Sequence, residues 1–115
     1  MNIYRYETSG GKDLILEYIK KLPKKQEVIA RGILKRLQTD GLEALNVLNT
    51  RQLKKKLWEI KFFDDNRLMY VVADDNNFYI LHACKKQKGK AEKFELDTAI
   101  ERAKELGREL GKSFV

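Results

Sequence analysis

The chain is poor in the residues that build cross-links and cofactor sites, with one cysteine and one histidine among 115 residues. A lone cysteine, Cys84, excludes an internal disulfide and suits a reducing compartment. No zinc-ligand spacing, P-loop or Rossmann glycine pattern occurs, so neither a metal nor a cofactor is expected. No apolar run approaches the ~18 residues that span a bilayer. The start, MNIYRYETSG, lacks an apolar signal core, so a cytoplasmic protein without a membrane partner is expected. Proline occurs once, at Pro23, and there is no repeat or low-complexity tract.

Charge and apolar patterning are plentiful instead. Hydrophobic residues make up 43% of the chain, enough for it to fold, and the length fits one domain over residues 1–115. A net charge of +7 favours a polyanion or an acidic protein as partner.

The spacing predicts a first strand over Asn2 to Tyr6 and a helix from Lys12 to Leu22, with Leu14, Ile15, Tyr18, Ile19 and Leu22 on its apolar side. Pro23 ends that helix and opens a second, which runs to about Thr39 before Gly41 and carries Ile29, Ile33, Leu34 and Leu37 as its stripe. The outer face of this hairpin holds Lys20, Lys21, Lys24, Lys25, Arg31, Lys35 and Arg36, which is either a solvated face or a docking surface. Residues 42 to 50 read as a linker with a short helical turn.

Three strands follow: Leu57 to Phe63, Arg67 to Ala73 and Phe78 to Cys84, joined by acidic, Asn-rich turns short enough for hairpins. Alternation puts Trp58, Ile60 and Phe62 in the core, and Leu57, Glu59, Lys61 and Phe63 on the other face. A third helix from about Ala91 to Leu110 should bury Phe94, Leu96, Ala99, Ile100, Ala103, Leu106 and Leu110, and the tail GKSFV should fray. The predicted architecture is an α+β domain of order β-α-α-β-β-β-α.

The cations concentrate between Leu53 and Lys90, at Lys54, Lys55, Lys56, Lys61, Arg67, Lys85, Lys86, Lys88 and Lys90. A small sheet with cations around one end suits gripping a phosphodiester; if it also cuts RNA, metal-independent cleavage needs a base for the 2′-OH, cations for the phosphoryl oxygens and an acid for the leaving oxygen. Glu59 is a candidate base. Lys61 and Arg67 are candidate phosphate ligands, with Arg67 at a strand start and directed to solvent. His82, Lys85 and Lys86 are candidate acids. Lys54, Lys55, Lys56, Lys88 and Lys90 are candidate RNA contacts. Each has a plainer reading: Glu59 with Lys61 as a surface pair, His82 as a structural imidazole, and the lysines as solvated loops. Tyr70 and Tyr79 read as packing residues, and Cys84 is given no catalytic role.

The sequence L-W-E-I-K, then R-L-M-Y-V-V, then I-L-H-A-C-K-K, then Ala99 with Arg102, resembles the RelE/ParE superfamily of toxins, and within it the phage-derived, HigB-type branch. Asn66 stands where an aromatic commonly precedes the arginine, Cys84 replaces a phenylalanine, and the proline after the lysine run is missing. The resemblance implies a RelE-like fold and an mRNA interferase that cleaves translated messages on the ribosome. It also implies a helix-turn-helix antitoxin of HigA type, through which alone the toxin would meet operator DNA. The helix hairpin and the C-terminal helix are equal candidates for the antitoxin's docking surface. Rival readings are a ParE-like gyrase inhibitor and a non-catalytic RNA- or ribosome-binding module.

Overall fold

The computed structural model describes all residues, 1–115. Its elements are β1 (Asn2–Arg5), α1 (Leu14–Lys20), α2 (Lys24–Asp40), a 3₁₀ helix (Gly41–Val47), β2 (Asn49–Lys54), β3 (Leu57–Phe62), β4 (Asn66–Asp74), β5 (Asn77–Lys85) and α3 (Gly89–Leu110). The five strands form one sheet in the order β1-β5-β4-β3-β2. β1 pairs parallel with β5, and the other neighbours are antiparallel. The fold is α+β with a mostly antiparallel sheet and three α-helices. No helix is long and apolar enough to cross a membrane.

Helices cover both faces of the sheet. On one, Ile15, Ile19, Leu22, Ala30, Ile33 and Leu37 of the hairpin pack on Ile60, Phe62, Leu68, Tyr70, Phe78 and Ile80. On the other, Ala99, Ala103 and Leu106 of α3 pack on Leu57, Met69, Val71, Leu81 and Cys84. This double cover explains β4, the middle strand, whose first six residues are all buried rather than alternating. Local signals set the helix ends. Asp13 caps α1 by accepting a hydrogen bond from Leu16 N–H, and Gly41 follows α2 with φ 67°, a conformation glycine adopts without a Cβ clash.

Several expectations are corrected. The linker over 42–50 is a 3₁₀ helix followed by the extra strand β2, which pairs with β3. β2 reads NTRQLK because an edge strand is safest when polar. Trp58 lies on the same face as Ile60 but remains 37% exposed, because the helix hairpin does not reach that end of the sheet. Ile29 and Leu110 are each 39% exposed, and Phe94 is 67% exposed on the outer side of α3.

The C-terminal tail does not fray. Phe114 is buried in the α3-side core, its carbonyl accepts from Lys56 N–H at 2.9 Å, and Lys112 Nζ donates to Ala73 O at 2.6 Å. Gly107 permits this return, since a Cβ there would stand 2.5 Å from Lys112 O. Phe114→Ala is therefore expected to destabilise the domain by about 3–5 kcal/mol. Urea unfolding will show this as a lower midpoint. An unchanged midpoint would mean the tail is a passive extension.

A buried ionic site under the third helix

Register builds the site. On the α3 side, one cross-strand row runs Asn49, Lys61, Arg67, Cys84, and the next runs Arg51, Glu59, Met69, His82. Residues directly opposite in antiparallel strands have neighbouring side chains. The first turns of α3 lie across these rows and add Glu92 and Glu95, with Arg102 further along.

Arg67 is the centre. Its Nε donates to Glu59 Oε2 at 2.7 Å, and its Nη1 donates to both oxygens of Glu92, at 2.8 and 2.7 Å. Arg51 Nη2 lies 3.0 Å from the other Glu59 oxygen, an ion contact too oblique to be a hydrogen bond. Arg67 Nη2 is buried without a partner. Arg67 is 1% exposed and Glu59 is fully buried, so the expectation that Arg67 points to solvent is wrong. An ion pair needs paired cover to be buried at all, and α3 supplies that cover. Burial works against the Arg67 cation, but the Glu59 hydrogen bond and charge, with Glu92, more than offset it and hold its pKa above the ordinary value. Of the two carboxylates on Arg67, Glu92 is the accessible one, its side chain 32% exposed. Its burial favours the neutral acid, yet the Arg67 hydrogen bond and the Gln87 N–H outweigh this and keep its pKa low.

Beside it, Arg102 Nη1 lies 3.1 Å from His82 Nδ1 and donates to Leu81 O at 2.9 Å. A guanidinium only donates, so Nδ1 accepts and the imidazole proton sits on Nε2, 3.3 Å from Glu95 Oε2. Cys84 lies nearby, and burial pushes its thiol pKa well up. His82, Cys84 and Glu95 thus bring metal-ligand atoms within 4.8 Å of one another. As hydrogen-bonded here, His82 presents a proton rather than a lone pair to Glu95, so the trio is not a preformed metal centre.

Burial pushes the His82 pKa below its ordinary 6.5, with Arg102 acting the same way and Glu95 opposing. The native state therefore binds fewer protons at His82 than the unfolded chain. Its contribution to stability is complete above the unfolded pKa. It is lost as pH falls through about 6.5 and levels off below the depressed folded value. Unfolding midpoints measured across that window are expected to fall with pH in the wild type and to flatten in His82→Gln. Equal slopes would show that His82 has no depressed pKa.

The other predicted residues divide. Lys61 sits beside Arg67, as adjacent strands near one turn require, but it does not pair with Glu59, whose oxygens face Arg67 and Arg51. Lys85 is at the same end of the sheet on the opposite face, where its Nζ donates to Asn66 Oδ1 at 3.1 Å. Asn66 is a hub there: Tyr18 OH donates to it at 2.6 Å, and it donates to Gln26 Oε1 at 2.9 Å. Lys86, Lys88 and Lys90 are exposed around the start of α3. Lys54, Lys55 and Lys56 are at the opposite end of β3, which at ~3.3 Å per residue is roughly 20 Å away. The cations therefore do not surround one end of the sheet. Tyr70 and Tyr79 pack, stacked on Phe78 and Tyr4 respectively, each pair with ring centroids 4.6 Å apart.

Sequence reasoning missed Arg51, Glu92 and Glu95. For the last two a signal existed: positions 92, 95, 99, 102 and 106 continue one helical stripe, so charges at its start had to face the sheet.

The model of the family described as phage-derived protein Gp49-like (DUF891) matches residues 17–104. The chain belongs to the Gp49-like family. This family is in the RelE/toxin-like group, and the matched residues include the Arg67 and His82 clusters. No curated protein matches the chain.

Proposed function

We propose that this Gp49-like chain is the toxin of a HigB-type toxin–antitoxin pair. In this reading it is an endoribonuclease that cuts translated mRNA in the cytoplasm, with a helix-turn-helix antitoxin as its partner. The observation that carries the reading is the hold on Arg67. Its guanidinium grips the carboxylate of Glu92 through two hydrogen bonds, and a phosphodiester presents the same pair of acceptor oxygens. Glu92 is partly exposed and belongs to the first turns of α3, so it is the group an incoming phosphate would replace. Lys61 stands next to Arg67 in the sheet, and Lys86, Lys88 and Lys90 ring the approach. These cations would hold RNA and stabilise charge as it builds on the phosphoryl oxygens.

In this reading the other roles shift. Glu59 has no exposed surface and faces two guanidiniums, so it orients Arg67 instead of taking the 2′-OH proton. His82 has both ring nitrogens engaged. Lys61 and Lys86 are the remaining candidates for proton transfer.

The test is a translating extract carrying a defined message, with 5′ ends mapped by primer extension. New ends that appear with wild-type protein and disappear with Lys61→Ala support the proposal. Intact message together with inhibited gyrase supercoiling would assign the chain to the gyrase-inhibitor class. Intact message with retained ribosome binding would leave a non-catalytic module.

A further inference from the structure

The lysines Lys54 to Lys56 take no part in the Arg67 site. They crown the β2–β3 turn at the far end of the sheet, next to an unusual cleft on the hairpin side. Trp58, Tyr70 and Val72 form its floor, Leu45 of the 3₁₀ helix forms a wall, and Lys55 and Lys56 stand at its rim. The cleft holds about 380 Å³. Trp58 is the only tryptophan, and it is left 37% exposed; Val47, on the same 3₁₀ helix as Leu45, is 65% exposed.

The turn that presents the lysines is fixed from both sides. Gln52 Nε2 donates to Lys55 O at 2.7 Å, and Lys56 N–H donates to Phe114 O at 2.9 Å. Lys55 itself takes φ 50°, a left-handed conformation uncommon for a side chain of its size. The backbone beneath the two lysines is therefore set before anything binds, and only their side chains have freedom left to lose. Buried aromatic anchors ringed by polar groups are where protein interfaces concentrate their binding energy.

We propose that this cleft is the docking site for an acidic segment of a partner protein, which seats one large apolar side chain on Trp58 and sets flanking carboxylates against Lys55 and Lys56. The occupant follows from charge and position. The rim is cationic and the floor apolar, so the ligand must carry both characters within a few residues. Single-stranded RNA also combines stacking with charge. However, the cleft opens on the face opposite Arg67 and at the other end of the strands, so RNA held at Arg67 would have to wrap around the β2 edge to reach it. The inference deepens the toxin reading by naming the surface its protein partner uses, in place of the outer faces of the helices.

The lone tryptophan makes the cleft its own reporter. Peptides are selected on the full-length protein from a displayed library of random twelve-residue sequences, and their binding is followed by Trp58 emission with no RNA present. Enrichment of peptides with Asp or Glu beside Leu, Ile or Phe is expected, with a saturable blue shift. Binding at least tenfold weaker to Lys55→Glu/Lys56→Glu is expected too. Both lysines are exposed, so that variant keeps the fold. Failure to enrich such peptides, or equal binding to the charge-reversed protein, overturns the proposal. A ten-residue oligouridylate that shifts Trp58 where the peptides do not would make the cleft an RNA groove and overturn it as well. Because the emission reports binding and not cleavage, none of these results depends on whether the chain cleaves a message.

Discussion

Arg67→Ala is expected to lower unfolding stability by about 3–5 kcal/mol, and not merely to silence a surface group. Removing one partner of a buried ion pair leaves the other charge uncompensated in a poorly polarisable interior. Here two carboxylates lose a partner, and Glu59, fully buried, keeps only the ion contact with Arg51. Glu59 loses the hydrogen bond to its Oε2, and Glu92 loses both of its bonds to the guanidinium. Against a typical domain stability of about 5–15 kcal/mol, such a loss is large enough to populate unfolded chains. Arg67→Ala will therefore abolish growth arrest for two entangled reasons, and activity alone is a poor reading of it. The informative variant is Arg67→Met/Glu59→Leu. Replacing a buried pair by apolar residues of similar volume is often neutral or stabilising. The double variant is expected to regain most of the lost stability in urea melts while remaining unable to cleave message. Recovery of cleavage along with stability would remove Arg67 from the chemistry. Failure to recover stability would point to Glu92 and Arg51 as more deeply committed to the network than their exposure suggests.

The chain shows where alternation and helical periodicity inform and where they stop. The β3–β4–β5 meander and all three helices were legible, because each has a strong period and a turn or cap at its ends. The neighbourhood of Lys61 and Arg67 was legible too, since two strands joined by a short turn must pair near it. β2 was not, because an edge strand with polar side chains on both faces has no apolar alternation to detect. The exposure of Arg67 was misjudged for a different reason. An arginine opening a strand after an acidic turn reads as surface, and only the tertiary placement of α3, some 25 residues later in sequence, covers it. The same long-range placement exposes Trp58: its own strand pattern is that of a core residue, but no helix extends over that corner. Phe114 is the converse case, a terminal residue with no local signal that is buried by a chain return through Gly107.

Glu92→Gln is the variant expected to separate a gate from a girder. The amide keeps the shape of the carboxylate but has no charge and one acceptor oxygen instead of two, so the ion pair and one of the two bonds to Arg67 are lost. A hydrogen bond to a charged group contributes about 1.5–3 kcal/mol, and less where solvent reaches it, as at Glu92. The first turns of α3 should then release Arg67 more readily by about 1–2 kcal/mol, a factor of about 5–30 in the open population. If Glu92 occupies the seat of a phosphodiester, both the affinity for a short non-cleavable RNA and the rate of message cleavage will rise within that range. Amide exchange will also quicken over Lys88–Lys93 and nowhere else. The gain should shrink at acidic pH, because protonating the wild-type carboxylate releases Arg67 in the same way. Since Arg67 holds the Glu92 pKa below the ordinary carboxylate value, this convergence requires pH below about 4.5. A structural strut predicts the reverse: weaker RNA binding, slower cleavage and lower stability together. A fall in RNA affinity for Glu92→Gln would mean that Arg67 is locked for stability alone, and that the phosphate seat must be sought among Lys61, Lys86 and Lys88.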